Sequence, residues 1–596
     1  MLKFLNDLSC LMSLEKALKA HAANNLVEAE EQYKIAYENC VIDPRLYQNY
    51  GALVKRSGDY SSALRIYEAG LSHYPKNLGI ILNYANCLRS NNITQALFFY
   101  FKGIHYSLGK PSKLDACIDF YTNIIDLLGK EGYFQWAYAL NLDALRRFGA
   151  KPKILRCLLL LFDSPLNELS VEDFQLNLKN KILELASHCG DFDLATLYFG
   201  LCEHYRKTRD YSQSRHFFDL AISSCERAKV NTPKEREELQ TLIDSNCWNF
   251  GCGSLQEQHL EIGWKYFEYG LRTPADGAQK WQRALIKPFS SSELPLWRGE
   301  PGSNKSLLLL DEQGIGDVMM FATLIPTLLD EFSLIGLIVP KRLLPIYKRS
   351  FAKDIELGKI VLYTQKDILD KVIPLKRFDF QVPIGSVCQH RFTSTQSYAP
   401  RTPILKCDDQ LKRQLRDQYL THGAQAPKLL VGLSWKGGGR GPRVKEKSID
   451  PIFLADFLSK FPDVRFVNLQ YGNTSEQLKK FRDHGLEIIS DPRINPLKDM
   501  DSWLSQVAAC DGVLSVANTT IHGAGGLNIP TICLLSQYSD WRWFSDPSVE
   551  RSYWYQSVGI ARQSSNSSWA PAFNIIESWL QNGCPRPNGI VSSSYA

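Results

Sequence analysis

KSLLLLDEQGIGDVMMFATLIPTLL, running from Lys305 to Leu329, decides how the second half of this chain is read. A short, wholly apolar strand is followed by a glycine turn, then by an amphipathic helix whose first turn carries a single carboxylate, Asp317. Gly314 and Gly316 leave the backbone able to approach a ligand closely, and the free N–H groups of a helix start suit a phosphate. The stretch is therefore a candidate nucleotide or phosphosugar site, although turns of this kind also occur in α/β folds that bind no nucleotide.

The same alternation of strand and helix continues on either side. Beyond Pro295 the apolar runs LLLLD (307–311), LIGLIVP (334–340), KIVLY (359–363) and FDFQVP (378–383) form one series. After a polar connection near 408–427 a second series follows: LLVGLSW (429–435), VRFVNLQ (464–470), LEIIS (486–490), GVLSV (512–516) and PTICLLS (530–536). Two successive βα series predict two doubly wound parallel sheets with a cleft between them, and ligands of such sheets bind at the carboxyl ends of the strands.

Three further motifs fall at those strand ends. WKGGGRGPRVKEKSID, from Trp435 to Asp450, sets Lys436, Arg440, Arg443, Lys445 and Lys447 around a glycine run with one acid among them, a composition that suits a diphosphate and equally suits a solvated loop. SVANTTIHGAGGLNIP, from Ser515 to Pro530, puts Asn518, Thr519 and Thr520 at a helix start, again favourable for phosphate; His522 within that helix is either a contact or a packing residue. In SDWRWFSD, Ser539 to Asp546, Trp541 and Trp543 either stack on a base or sugar face or pack beneath the cleft. A DMD triplet, Asp499 to Asp501, mimics a metal-binding DxD motif but opens a helix, where acids serve as caps, so no metal site is expected.

The first half is built from repeats. From about residue 10 the chain carries a helix–turn–helix period of about 34 residues, the tetratricopeptide length. Ala17, Ala29, Tyr33 and Ala36 recur as Gly51, Ala63, Tyr67 and Gly70 or Leu71, with Pro75 closing the second unit and Ala85 and Ala96 marking a third. Similar hairpins are predicted over 190–205 and 209–225, whereas 105–185 is helical in period but degenerate in signature. An α-solenoid offers a concave surface to an extended partner, or braces the second half.

Composition bounds the rest. At 596 residues several domains are required, and a net charge of +6 without a basic stripe or stacking motif gives no reason to expect nucleic acid. Fifteen cysteines are scattered without CxxC pairs and read as buried thiols of a reducing compartment. No segment approaches the ~18 apolar residues of a membrane span. A cytoplasmic location is expected.

In their order, CWNFGCGSLQEQHLEIGWKYFEYGLRT, LPLWRGE, LLLLDEQGIGDVMMF, VGLSWKGGG with KSID, and SVANTTIHGAGGLNIPT with DWRWF resemble the bacterial tetratricopeptide-repeat glycosyltransferases. The C-terminal half, about 245–565, is similar to the lipopolysaccharide heptosyltransferases and more distantly to the O-linked N-acetylglucosamine transferases. The resemblance implies an N-terminal all-α, tetratricopeptide-like solenoid (1–280) followed by an α/β GT-B fold of two Rossmann-like domains (281–425 and 426–596), the second binding the nucleotide sugar. It implies transfer without a metal or other cofactor, with the nucleotide sugar as co-substrate and an acceptor protein or glycan on the repeats, which also offer a surface for oligomers. By the same resemblance Asp317 maps onto the proposed catalytic base, Lys447, or next Lys436, onto the lysine that grips donor phosphate, and the helix after SVANTT onto the diphosphate site. Ala517 stands where the heptosyltransferases have an aspartate.

Transfer from a nucleotide sugar requires the acceptor hydroxyl to lose its proton and the departing phosphate to be neutralised. Asp317 suits the first task; Lys447, Arg443 and the helix start near 519–523 suit the second. A catalytically silent transferase-fold scaffold and a nucleotide-sugar-binding regulator remain alternatives. A dinucleotide oxidoreductase is disfavoured, because LIGLIVPKR ends its strand in Lys341 and Arg342 where an acid would hold ribose.

Overall fold

Five helices of the first half begin on a short polar residue that caps them. Asp43, Asp59, Asn77, Asn92 and Asp210 accept the N–H of Arg45, Ser62, Ile80, Gln95 and Gln213, respectively. Such a cap satisfies a donor that the helix itself leaves open. Antiparallel hairpins follow: Leu2–Ala22 with Leu26–Glu38, Pro44–Ser57 with Tyr60–His73, Leu78–Leu88 with Ile93–Ser107, Leu114–Lys130 with Phe134–Phe148, and Asp191–Lys207 with Tyr211–Arg227. Tyr33, Tyr67 and Tyr100 are fully buried at equivalent places in successive hairpins. A Cβ on Gly51 would enter the Tyr67 ring, so the helices cross there only because that residue is glycine.

The computed structural model describes residues 2–22, 25–39, 41–89, 91–149, 151–162, 184, 190–271, 283, 289–398, 403–422, 427–438, 444, 447–537, 539–564 and 567–587. Two compact units divide them, one within Met1–Ile243 and one from Asp244 onward. The first is the all-helical repeat unit. The boundary falls well before residue 280, because the aromatic hairpin around Trp248 and Trp264 belongs to the second unit.

Among the described residues the second unit contains ten parallel strands in two sheets. β1 (Ser306–Leu310), β2 (Leu334–Ile338), β3 (Ile360–Tyr363) and β4 (Phe380–Pro383) lie in the order β3-β2-β1-β4. β5 (Leu429–Ser434), β6 (Val464–Asn468), β7 (Ile488–Ile489), β8 (Gly512–Val516), β9 (Thr531–Leu535) and β10 (Val558–Arg562) lie in the order β10-β9-β8-β5-β6-β7. Both are doubly wound, and the second has the dinucleotide-fold strand order throughout. Their switch points, where the strand order reverses, lie between β1 and β4 and between β5 and β8. All five residues of β1, β8 and β9 are buried, as strands covered by helices on both faces must be. The chain thus has an all-α repeat region followed by a GT-B-like pair of Rossmann-like sheets.

The hairpin packs into the same core. Trp264 donates its indole N–H to the Tyr398 hydroxyl at 3.1 Å and meets Trp541 edge to face, while Gln256 donates to the Ser539 carbonyl at 2.7 Å. Of the twelve cysteines whose side chains are described all but Cys252 are buried, and burial pushes thiols such as Cys510 up to about 12. No described helix is long and apolar enough to cross a membrane.

Candidate functional site

The glycine turn after β1 and the helix start after β8 meet face to face. A Cβ on Gly316 would stand 2.9 Å from His522 Cδ2 and 3.4 Å from Thr519 Cα and Oγ1. Glycine at 316 is therefore what lets the helix Ile315–Phe321 of the first sheet approach the helix Thr519–Gly526 of the second. Gly314 has a different part. Its φ of −94° is open to any residue, and the left-handed residue of the turn is Gln313 at φ 62°, whose N–H donates to the Arg283 carbonyl at 2.7 Å.

Asp317 lies in this junction with 7% of its surface exposed. One carboxylate oxygen accepts the Gly314 N–H at 3.0 Å; the other accepts Nε of Arg542 at 2.5 Å. Arg542 also reaches Asp540, 3.3 Å from its Nη1, and Asp540 in turn accepts Nζ of Lys447 at 3.1 Å. Four alternating charges therefore run from the first sheet's helix, through the segment after β9, to the loop after β5. Burial alone would raise the Asp540 carboxyl, but Arg542 and Lys447 hold it well below the usual carboxylate range. Burial alone would likewise lower Arg542, but Asp317 and Asp540 keep it a firmly charged guanidinium.

Other predicted residues divide between this junction and its support. The Asn518 carboxamide accepts the Thr520 N–H at 2.8 Å and donates to Ser434 Oγ at 2.7 Å and to the Lys436 carbonyl at 3.0 Å. It caps its helix and staples β8 to β5 across the switch point, which leaves little of it for a donor. Thr519 lies at the junction, and the buried Thr520 hydroxyl has no hydrogen-bond partner among the described residues. Lys436 is exposed, its N–H held by Gln470 at 2.9 Å. Arg443 lies outside the described residues. His522 is buried, 3.2 Å from the Tyr555 hydroxyl; burial pulls its imidazole down to about 4 against the field of Asp317, so it packs as a neutral ring.

Trp541 and Trp543 correct the stacking expectation. They are 5% and 2% exposed, so neither ring offers a face to a base or sugar. Trp541 packs against Phe267 and Phe321 and carries the Arg542 guanidinium 4.2 Å from its ring centre; Trp543 lies against His522. The indoles of SDWRWFSD stand out in the sequence, but the residues that matter here are the charges on either side of Trp541, Asp540 and Arg542. The signal was there: two opposite charges in an otherwise aromatic run need partners once buried.

Neither acid of the DMD triplet is placed to hold a metal. Asp499 caps its helix through the N–H groups of Asp501 and Ser502 at 2.9 and 3.2 Å, and Asp501 forms a two-pronged pair with Arg349 at 2.6 and 2.7 Å. Beside the charged chain lies a cavity of about 10 Å³, lined by Lys447, Ala517, Ser536, Ser539 and Asp540. That is roughly the space of one water.

No protein-family model matches the chain. It is 24% identical over 591 residues to Protein FlbA of Caulobacter vibrioides, covering 96% of this chain and 89% of that protein. Similar solved structures include a family 9 glycosyl transferase of Veillonella parvula, at 11% identity and a TM-score of 0.34 over 48% of this chain and 98% of that one. An O-GlcNAc transferase of Thermobaculum terrenum matches at 11% identity and a TM-score of 0.29, over 97% of this chain and 94% of that one. At these values likeness alone establishes neither family nor activity.

Proposed function

We propose that the chain is a glycosyltransferase that moves a sugar from a nucleotide donor to an acceptor carried by the repeats. One observation supports this most: the switch-point turns of two doubly wound sheets abut, and their contact gathers two carboxylates, two cations and a helix start. In the proposed reaction Asp317 takes the acceptor hydroxyl's proton as its oxygen bonds to the anomeric carbon. The sugar–phosphate bond breaks, and its electron pair leaves with the nucleotide phosphate, whose charge Lys447, Arg542 and the helix start at Thr519 neutralise. Cations fixed by the protein take the part that a divalent metal plays elsewhere, and the nucleotide sugar is the only co-substrate. The donor half of this reading belongs to 426–596, the acceptor half to 281–425 and the repeats.

A thermal-shift screen across nucleotides and their sugars tests the reading. A donor at 100 times its Kd adds about 2.7 kcal/mol of stability; no shift with any of them would leave it without support. Lys447→Ala is expected to weaken donor binding about tenfold to a hundredfold, the worth of one charge-assisted contact. Calorimetry checks this: an unchanged Kd moves the phosphate grip to Lys436 or Arg443. A second reading, a silent transferase-fold scaffold, is favoured by Ala517 at the cavity wall, where the heptosyltransferases have an aspartate. Slow hydrolysis of a nucleotide sugar by the purified chain excludes it.

A further inference from the structure

The four-charge chain is balanced as it stands, and that balance constrains what a donor can do. Asp317, Arg542, Asp540 and Lys447 alternate in sign, with contacts of 2.5, 3.3 and 3.1 Å. Side-chain exposure is 10% for Asp317 and 17% for Arg542, so neither is well solvated apart from the other. The neighbouring cavity of about 10 Å³ is too small for a phosphate group. A phosphate that reaches Lys447 therefore brings negative charge to a place whose cations already hold carboxylates, and it gains charge-assisted hydrogen bonds only by displacing one.

Asp317 meets the converse constraint. Both of its oxygens are taken, one by the Gly314 N–H and one by Arg542. Each oxygen keeps a second lone pair, but an acceptor hydroxyl meets a carboxylate whose charge is already shared with a guanidinium 2.5 Å away, and it meets an unpaired one only if that partner leaves. The backbone N–H is fixed by the turn. Arg542 is the partner that an incoming phosphate can draw off, since its guanidinium lies over the Trp541 ring, 4.2 Å from the ring centre, and Asp540 on the same segment already faces it.

We propose that Arg542 is a donor-operated switch: without nucleotide it holds Asp317, and a nucleotide phosphate entering beside Lys447 draws it away, so that Asp317 is released as a base only when the donor is in place. The inference rests on the glycosyltransferase reading and adds a positioning residue to it. Premature proton removal, or attack by water before the acceptor arrives, is limited because the base is engaged whenever the donor site is empty. In this scheme Asp317 and the phosphate compete for one guanidinium, so removing the charge at 317 strengthens nucleotide binding.

Calorimetric titration of the full-length chain with the mono- and diphosphates of uridine, cytidine, guanosine, adenosine and thymidine tests this. For whichever nucleotide the wild type binds, Asp317→Asn is expected to lower Kd about tenfold, the weight of one charged contact. Arg542→Gln is expected to raise Kd, and in the double variant the tightening from Asp317→Asn should vanish. Tightening that persists without Arg542 would mean that Asp317 acts only through its general field and would overturn the switch. Should Arg542→Gln prove insoluble, Arg542→Met takes its place in the cycle with the same reading, and an unchanged Kd in Asp317→Asn overturns the switch without it. Wild-type binding with no effect at 317 sinks the switch and spares the transferase reading, whereas failure of every nucleotide to bind the wild type sinks both.

Discussion

Asp317→Asn is expected to lower transfer by about 10²- to 10⁴-fold, the usual contribution of a positioned general base. The substitution is nearly isosteric, and the carboxamide oxygen can still accept the Gly314 N–H that now lies 3.0 Å away, so the helix start at Ile315 keeps its cap. Arg542 loses one counter-charge but retains Asp540 at 3.3 Å and its seat on Trp541, so it is not left buried without any partner. The loss should therefore appear in turnover, with nucleotide affinity held or improved and melting lowered only slightly. Turnover and donor affinity measured on the same preparation separate a chemical defect from a folding one. More than a tenth of wild-type turnover, with donor bound as tightly as before, would remove Asp317 from the base role.

Much of this architecture was legible in the sequence, and particular residues explain why. Nine of the ten strands correspond to apolar runs bounded by turn residues, because strands buried on both faces leave a continuous hydrophobic signal. The tenth, Val558–Arg562, was missed: SVGIAR mixes glycine and alanine with a terminal arginine, and its strand state comes from pairing with β9. The repeat hairpins announced themselves through small residues at helix crossings, as at Gly51 beneath Tyr67. The hairpin around Trp264 has the same helical periodicity as the repeats, and its contacts with Tyr398 and Trp541 lie within the second unit.

The site was legible in outline and not in its wiring. Strand-end turns identify themselves by glycine, which is how Gly316 and the SVANTT helix start were found. Which cation faces which carboxylate depends on residues far apart in sequence. Arg542 and Asp317 are separated by 225 positions, and no local pattern reports that they touch. The same holds for Arg283, which no motif singled out and which is fully buried at the base of the turn.

Glu312→Ala is expected to destabilise the second unit by about 3–5 kcal/mol, because it strips a buried arginine of its main partner. Arg283 is wholly buried and meets Glu312 through two contacts, Nε to Oε1 at 3.1 Å and Nη2 to Oε2 at 2.9 Å. Its remaining nitrogen donates to Glu268 at 2.6 Å, and its Cζ lies 4.2 Å from the Phe267 ring centre. Glu312 additionally accepts the Gly385 N–H at 3.3 Å, so a single carboxylate joins the end of β1 to the end of β4. Removing it leaves a desolvated charge with only the partly exposed Glu268 opposite, which is why the cost should exceed that of any surface pair in this chain. A double cycle checks the attribution. Arg283→Met should be costly alone, yet Arg283→Met with Glu312→Leu should cost less than the sum of the singles, because two apolar side chains then meet where two charges did; additive losses would show that the pair is not coupled. Activity provides an independent readout, since the Arg283 carbonyl holds the N–H of Gln313, the left-handed residue that aims the turn toward Asp317. A variant that stays folded at low temperature should still transfer sugar slowly, because the base remains present while the backbone that orients it has lost its anchor.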